Sequence, residues 1–233
     1  MAGVNRPVSV LFARSDSCYN ELVSDVWDSV RDARNYSGDN ALVCHPPCRG
    51  WGRLRHFAKP RPDEKALALF AVRQIRRCGG VLEHPWGSTL WRAAGLPFPG
   101  RVDEWGGFTL LLDQGWWGHP APKPTYVYVC GANRADVPDM PVQIERAKGR
   151  TLDLSPADRE RTPPLFAQWL VLLASRCGRP LLQPAAASSL LQPPGFYTEQ
   201  PDVVTPDQGR CNTDLVSSAA AKRAAFRAWA GAS

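Results

Sequence analysis

A chain of 233 residues with 44% hydrophobic content has enough apolar material for one large domain with an appendage. Its formal charge of +6 points to a polyanionic partner, and its seven cysteines, an odd number without small-domain spacing, argue against a disulfide framework and for a reducing, cytoplasmic setting. No apolar run reaches the roughly 18 residues of a membrane span, and Met1–Arg6 lacks the apolar core of a signal peptide, so a soluble chain is expected.

In chain order, Val8–Ala13 reads as a first buried strand, Asp16 and Ser17 can cap a short helix over Cys18–Val23, and Val26–Val30 reads as a second strand. Arg31-Asp32-Ala33-Arg34 reads as a solvated, charged turn. Leu42 and Val43 close a third strand, because Pro46 and Pro47 fix φ and withhold backbone donors. Cys48 then lies just past a strand end, where open α/β sheets bind ligands. Arg49, Arg53 and Arg55 follow it, and cations favour a thiolate. A structural Pro-Pro turn with a half-buried cysteine fits the same residues.

Pro62-Asp63-Glu64 opens the clearest helix, with Leu67, Phe70, Ala71, Gln74, Ile75 and Cys78 on one face. Acidic residues lie in its first turn and Arg73, Arg76 and Arg77 in its last, before Gly79-Gly80 stops it. Val81 and Leu82 resume a strand that ends in Glu83-His84-Pro85, completing the strand, helix, strand pattern of a parallel crossover. A cysteine and a carboxylate are thereby expected at one sheet edge.

Phe108–Leu112 and Tyr126–Val129 read as two more strands. Their connection, Asp113–Pro124, is rich in Trp, Gly and Pro, and reads either as a recognition lid or as a pair of tryptophans plugging the core. Pro163–Cys177 forms a last apolar helix. From Gly178 the composition shifts to Pro, Ala, Ser and Gln, which predicts an extended or disordered tail ending in a basic helix over Ser218–Trp229. The expected architecture is a three-layer α/β domain over residues 1–178 with a flexible extension over 179–233.

Pro46-Pro47-Cys48, Glu83 in Leu82-Glu83-His84, and Gln114 ahead of His119 and Lys123, taken in order, resemble the motif set of DNA cytosine-5 methyltransferases. The chain also resembles proteins of phages and prophages that share a His-Pro-Pro-Cys-Arg-x-Trp-Gly segment, a likeness that carries no function with it. The methyltransferase resemblance spans residues 8–130 and implies a Rossmann-like, mainly parallel sheet. It implies Cys48 as nucleophile and Glu83 as the acid. It further implies base and phosphate contacts from His45, Pro47, Arg49, Trp51, Arg53, His84, Gln114, His119 and Lys123, and DNA as the partner.

S-adenosylmethionine is the implied cofactor, with Phe12, Arg14, Asp16, Ser17 and Asp32 nearest its place. The family's glycine loop is absent, however: Leu11–Ser17 contains no glycine, so side chains fill the space where backbone would approach the cofactor. His84-Pro85 stands where the family has Asn-Val, and Trp116 where it has Arg.

The residue types suit the chemistry. A thiolate adding at C6 of cytosine turns C5 into an enamine carbon able to attack an electrophile. A carboxylic acid at N3 stabilises that adduct, and burial against Pro85 and Trp86 predicts a protonated Glu83. The base must be flipped or unpaired, with Trp116-Trp117 available to stack and Arg49, Arg53, Arg55 and Lys59 to neutralise phosphates. Three alternatives remain at this point. Cys44, His45, Cys48 and His84 could ligate zinc, although adjacent Cys44 and His45 on a strand face opposite ways. His45 could accept from an exocyclic amine, as in amino-methyltransferases. The chain could also be a catalytically degenerate module that binds nucleic acid or a host protein.

Overall fold

The computed structural model describes residues 5–141, 147, 149–150 and 153–180. The predicted extension, including its basic helix, lies outside the described residues except for Arg179 and Pro180. Six strands form one sheet: β1 (Val8–Leu11), β2 (Asp25–Trp27), β3 (Ala41–Cys44), β4 (Gly80–Pro85), β5 (Phe108–Asp113) and β6 (Pro124–Cys130). Their order is β2-β1-β3-β4-β6-β5. The pairings among β2, β1, β3 and β4 are parallel, whereas β6 pairs antiparallel with both β4 and β5. The fold is therefore α/β on a mixed sheet in which β6 alone runs against the others.

Side-chain alternation along the strands divides the apolar residues between two faces. Val10, Val43, Val81, Val127 and Val129 face α4 (Pro164–Ser175), where they meet Phe166, Leu170 and Leu173. Leu11, Leu42, Cys44, Leu82 and Tyr128 face the opposite layer, α1 (Glu64–Cys78) and the short α2 (Leu90–Ala93). The helix α1 is placed as its charges and glycines predict, but its buried stripe runs through Leu67, Ala68, Ala71, Val72, Ile75 and Cys78; Phe70 and Gln74 are only half-buried. Gly79, at φ +79, ends it by donating to the Ile75 carbonyl at 2.8 Å. Gly80 then lies so close to β3 that a Cβ would stand 2.1 Å from the Leu42 carbonyl oxygen. The α1 to β4 junction thus packs backbone on backbone.

Several boundaries differ from the sequence expectation. β1 stops at Leu11 because Phe12 turns left-handed at φ +65. Cys18–Glu21 is one 3-10 turn, with the Ser17 side chain accepting from the Tyr19 N–H. β2 ends at Trp27, so Asp28, Ser29 and Val30 are loop. β4, by contrast, ends at Pro85 as expected, and Glu83 and His84, adjacent within it, point to opposite faces of the sheet. The Asp113–Pro124 connection is the core plug rather than the lid: Trp117 is buried with its ring 4.9 Å from Phe166 and 5.3 Å from Trp169.

Candidate active site

The register of β3 on β4 builds the site. Cys44 pairs with Leu82, so the next residues, His45 and Glu83, come side by side on the α4 face just where β3 ends. His45 Nδ1 lies 3.1 Å from Glu83 Oε2, and His45 Nε2 lies 2.7 Å from the Tyr19 hydroxyl. Glu83 Oε1 accepts from Gln114 Nε2 at 3.1 Å and from the Thr125 hydroxyl. Burial alone would push the Glu83 carboxyl up, but the His45 hydrogen bond and charge, the Lys123 charge and the Thr125 hydroxyl outweigh it and bring the pKa down to about 2. Glu83 is thus a carboxylate, not the protonated acid expected from Pro85 and Trp86. An acceptor-only carboxylate requires His45 Nδ1 to donate. On its other side the ring's Nε2 meets the Tyr19 hydroxyl, so Tyr19, His45 and Glu83 form one part-buried hydrogen-bonded chain.

Cys48 is held by a tight turn, its carbonyl accepting from Trp51 N–H at 3.0 Å and Gly52 N–H at 2.8 Å. The expected activation by arginines is not present. Arg49 is engaged by the buried Glu64 carboxylate, and the Cys48 thiol is pushed up to about 11, first by burial and then by the Glu83 and Glu160 charges. In the ligand-free chain Cys48 is therefore a thiol.

These groups face a cavity of about 820 Å³, lined by segments that follow β1 (Phe12–Tyr19) and β3 (His45–Arg49), by Glu83–Pro85 and Lys123, and by residues 157–162. The chain leaves β1 toward β2 on one side and returns to β3 on the other, so the cavity lies where strand order reverses, the usual place for a ligand in open α/β sheets. Lys123 Nζ donates to the Arg161 carbonyl at 3.0 Å, and burial lowers its pKa against the raising charges of Glu83 and Cys48. It ties α3 (Pro156–Glu160) to the cavity rim.

Among the expected site residues, Phe12, Arg14, Asp16, Ser17, His45, Pro47, Cys48, Arg49, Glu83, His84 and Lys123 line this cavity. The others take different roles. Gln114 is fully buried and holds Glu83, while His119 is buried with Nδ1 2.6 Å from the Ala121 carbonyl. Trp51 is a buried anchor whose carbonyl accepts from Thr89 N–H at 2.9 Å. Arg53 lies outside the cavity over Trp86, and Asp32 lines a second cavity of about 480 Å³, bonded to Arg34. His84 meets Trp91 on the α2 face of the sheet; neither ring nitrogen makes a hydrogen bond of ordinary geometry among the described residues, and burial lowers its pKa to about 4 despite the Glu83 charge and the nearby Pro47 carbonyl. Sequence reading missed Tyr19 and Thr125, the first on a 3-10 turn with no motif and the second visible only through the β4 to β6 register.

The residues do not form a cradle for S-adenosylmethionine. After β1 the Ala13 N–H donates to Trp27 at the end of β2 and the Ser17 N–H to Arg14, so these two backbone donors are taken. Arg14 pairs with Asp16 at 2.9 Å instead of leaving either group free. At the end of β2, Asp28 accepts from the Val30 and Arg31 N–H groups, and Asp32 is saturated by Arg34. Nor do Cys44, His45, Cys48 and His84 converge: Cys44 belongs to the α1-side core, and among the described residues no group of three His, Cys, Asp or Glu side chains has metal-holding geometry. No described helix is long and apolar enough to cross a membrane. Comparison with protein-family models, with curated proteins and with solved structures finds no match for the chain.

Proposed function

We propose that this protein modifies a nucleobase, cytosine, in DNA, by addition of Cys48 Sγ to C6 and transfer of a one-carbon or related group to C5. The observation that carries the proposal is the convergence of Cys48 and Glu83, from the ends of neighbouring parallel strands, on one cavity of about 820 Å³, within the usual range of small-molecule sites. The sheet adds support, because a reversed β6 between β4 and β5 beside the parallel run β2-β1-β3-β4 is compatible with the methyltransferase-like fold that the sequence resembles.

The protonation pattern sets how the residues act. A carboxylate has about four acceptor positions. His45, Gln114 and Thr125 take three, leaving one to accept from the exocyclic amine of the base. Burial pushes the Cys48 thiol up while hydrogen bonds and neighbouring charges hold the Glu83 carboxyl down, so proton transfer from Cys48 to Glu83 in the empty site is strongly uphill and no thiolate forms in advance. Activation then belongs to the complex: as Sγ bonds to C6 and electron density reaches N3, the thiol proton passes by way of Glu83 to N3, and the step balances without solvent. Enclosure by the base and a fixed His45 and Gln114 around Glu83 lower that barrier by preorganisation. No step is assigned to S-adenosylmethionine, and the donor is a separate question.

Nucleoside mass spectrometry on DNA from cells expressing the protein tests the reading: a modified cytosine with wild type and none with Cys48→Ser supports it, and undiminished modification by the serine variant removes Cys48. The thiol state of Cys48 favours one second reading, a degenerate module that binds nucleic acid without acting on it. Tight binding with no modified nucleoside would favour that module.

A further inference from the structure

We propose that residues 53–59 together with Trp86 form a stacking platform for single-stranded nucleic acid leading to the Cys48 cavity, an inference that rests on the nucleobase reading and gives its substrate a form. Between Arg49 and Pro62 the sequence carries five cationic side chains and His56 but no acidic residue. Arg49 and Arg61 are engaged by Glu64 and Asp63. Arg53, Arg55 and Lys59 make no ion pair among the described residues, although the Arg55 guanidinium reaches the Gly52 carbonyl at 3.5 Å.

Large apolar groups stand exposed among these charges. Phe57 is 86% and Leu54 69% exposed, and the partly exposed Trp86 carries the Arg53 guanidinium 4.9 Å from its ring centre. This seat is built. Gly87, at φ +75, leaves room for the Arg53 stem, since a Cβ there would come within 3.0 Å of Arg53 Cδ and Cγ. The arc is anchored too: Thr89 donates to the Trp51 carbonyl through both its N–H and, at 3.1 Å, its hydroxyl. Cys48 and Arg49 line the cavity, and the chain runs from them directly into the arc.

Free cations interleaved with exposed aromatic faces match a strand whose phosphates and unstacked bases alternate. A duplex keeps its bases stacked inward and gives Phe57 no face to meet. An unpaired strand also needs no flipping to deliver a base to the cavity.

The test is fluorescence anisotropy of the full chain with a labelled pyrimidine 12-mer, single-stranded and as its duplex, over a range of salt. Single strand should bind at least about tenfold tighter than duplex. Phe57→Ala and Trp86→Ala should each weaken it about tenfold without changing the salt slope. Arg53→Gln and Lys59→Gln should each reduce that slope by about 0.7. Circular dichroism melts of the Phe57 and Lys59 variants should match wild type, since both side chains are exposed. Equal affinity for duplex, or wild-type affinity in both aromatic variants, overturns the platform. Base modification is read separately by mass spectrometry, so a platform that fails while cytosine is still modified, and one that binds while nothing is modified, are different results.

Discussion

His84 and Glu83 occupy adjacent positions on opposite faces of one strand, and each makes stability depend on acid in its own window. His84 has a folded pKa of about 4 against an ordinary 6.5, so the unfolded chain takes up the proton first. Its contribution, about 3 kcal/mol, is present above pH 6.5 and is lost as pH falls to about 4. Glu83, held near 2 against an ordinary 4.5, contributes a similar amount, about 3 kcal/mol, above pH 4.5 that is lost as pH falls through 2. Urea unfolding of wild type and His84→Gln at pH 7 and pH 4.5 separates the two: the loss over that interval should shrink in the variant. Equal losses would mean that His84 is not the titrating group. Cys48, near 11, should also react slowly with iodoacetamide at pH 8 and speed up tenfold per pH unit toward 10. A rate already level at pH 8 would show an activated thiolate.

Much of this site could be found in the sequence at the level of single residues. Pro46 and Pro47 must end a strand, which places Cys48 at the sheet edge, and the β3, α1, β4 pattern brings Glu83 beside it. The protonation states were not legible. They depend on His45, Gln114 and Thr125 reaching one carboxylate from three elements, whereas the sequence showed only the neighbours Pro85 and Trp86. Arg49 likewise reads as a partner for Cys48 until Glu64, fifteen residues on, is seen to take it.

At the scale of elements, the α1 to β4 junction and the Trp117 plug carry the sharpest expectations. Gly80 has φ +133 and no room for a Cβ, which would overlap the Leu42 carbonyl of β3. Gly80→Ala should therefore destabilise, on the order of 3 kcal/mol, where alanine at a compatible glycine site would stabilise, and move Cys48 relative to Glu83. A melting temperature equal to that of wild type would refute this packing. Trp117→Ala should cost about 3–5 kcal/mol, as for removal of a large core side chain, and not behave as a loop change that spares stability. The helix α1 was legible from its charges and terminal glycines, and the buried strands from their apolar runs. The direction of β6 was not, because a run such as Thr125–Cys130 is equally apolar whichever way it pairs.

For the whole molecule, a +6 charge, a mixed α/β sheet and a cavity at its strand reversal are compatible with the proposed action on a nucleobase. The loop after its first strand has no glycine over Leu11–Ser17, and its Ala13 and Ser17 N–H groups are already taken, so S-adenosylmethionine should bind weakly or not at all. Calorimetry giving a low micromolar dissociation constant, about −8 kcal/mol, with loss of binding on Asp16→Ala, would restore that donor. The central claim, addition of Cys48 to cytosine C6, can be tested without knowing any donor. Once Sγ bonds to C6, the enamine carbon C5 can take a deuteron from heavy water; loss of the original C5 proton and departure of the thiolate then regenerate cytosine. A single-stranded oligonucleotide incubated with the protein in heavy water should gain one mass unit at each reacting cytosine with wild type and none with Cys48→Ser. Absence of exchange in an oligonucleotide that wild type demonstrably binds, or equal exchange with the serine variant, would contradict the account.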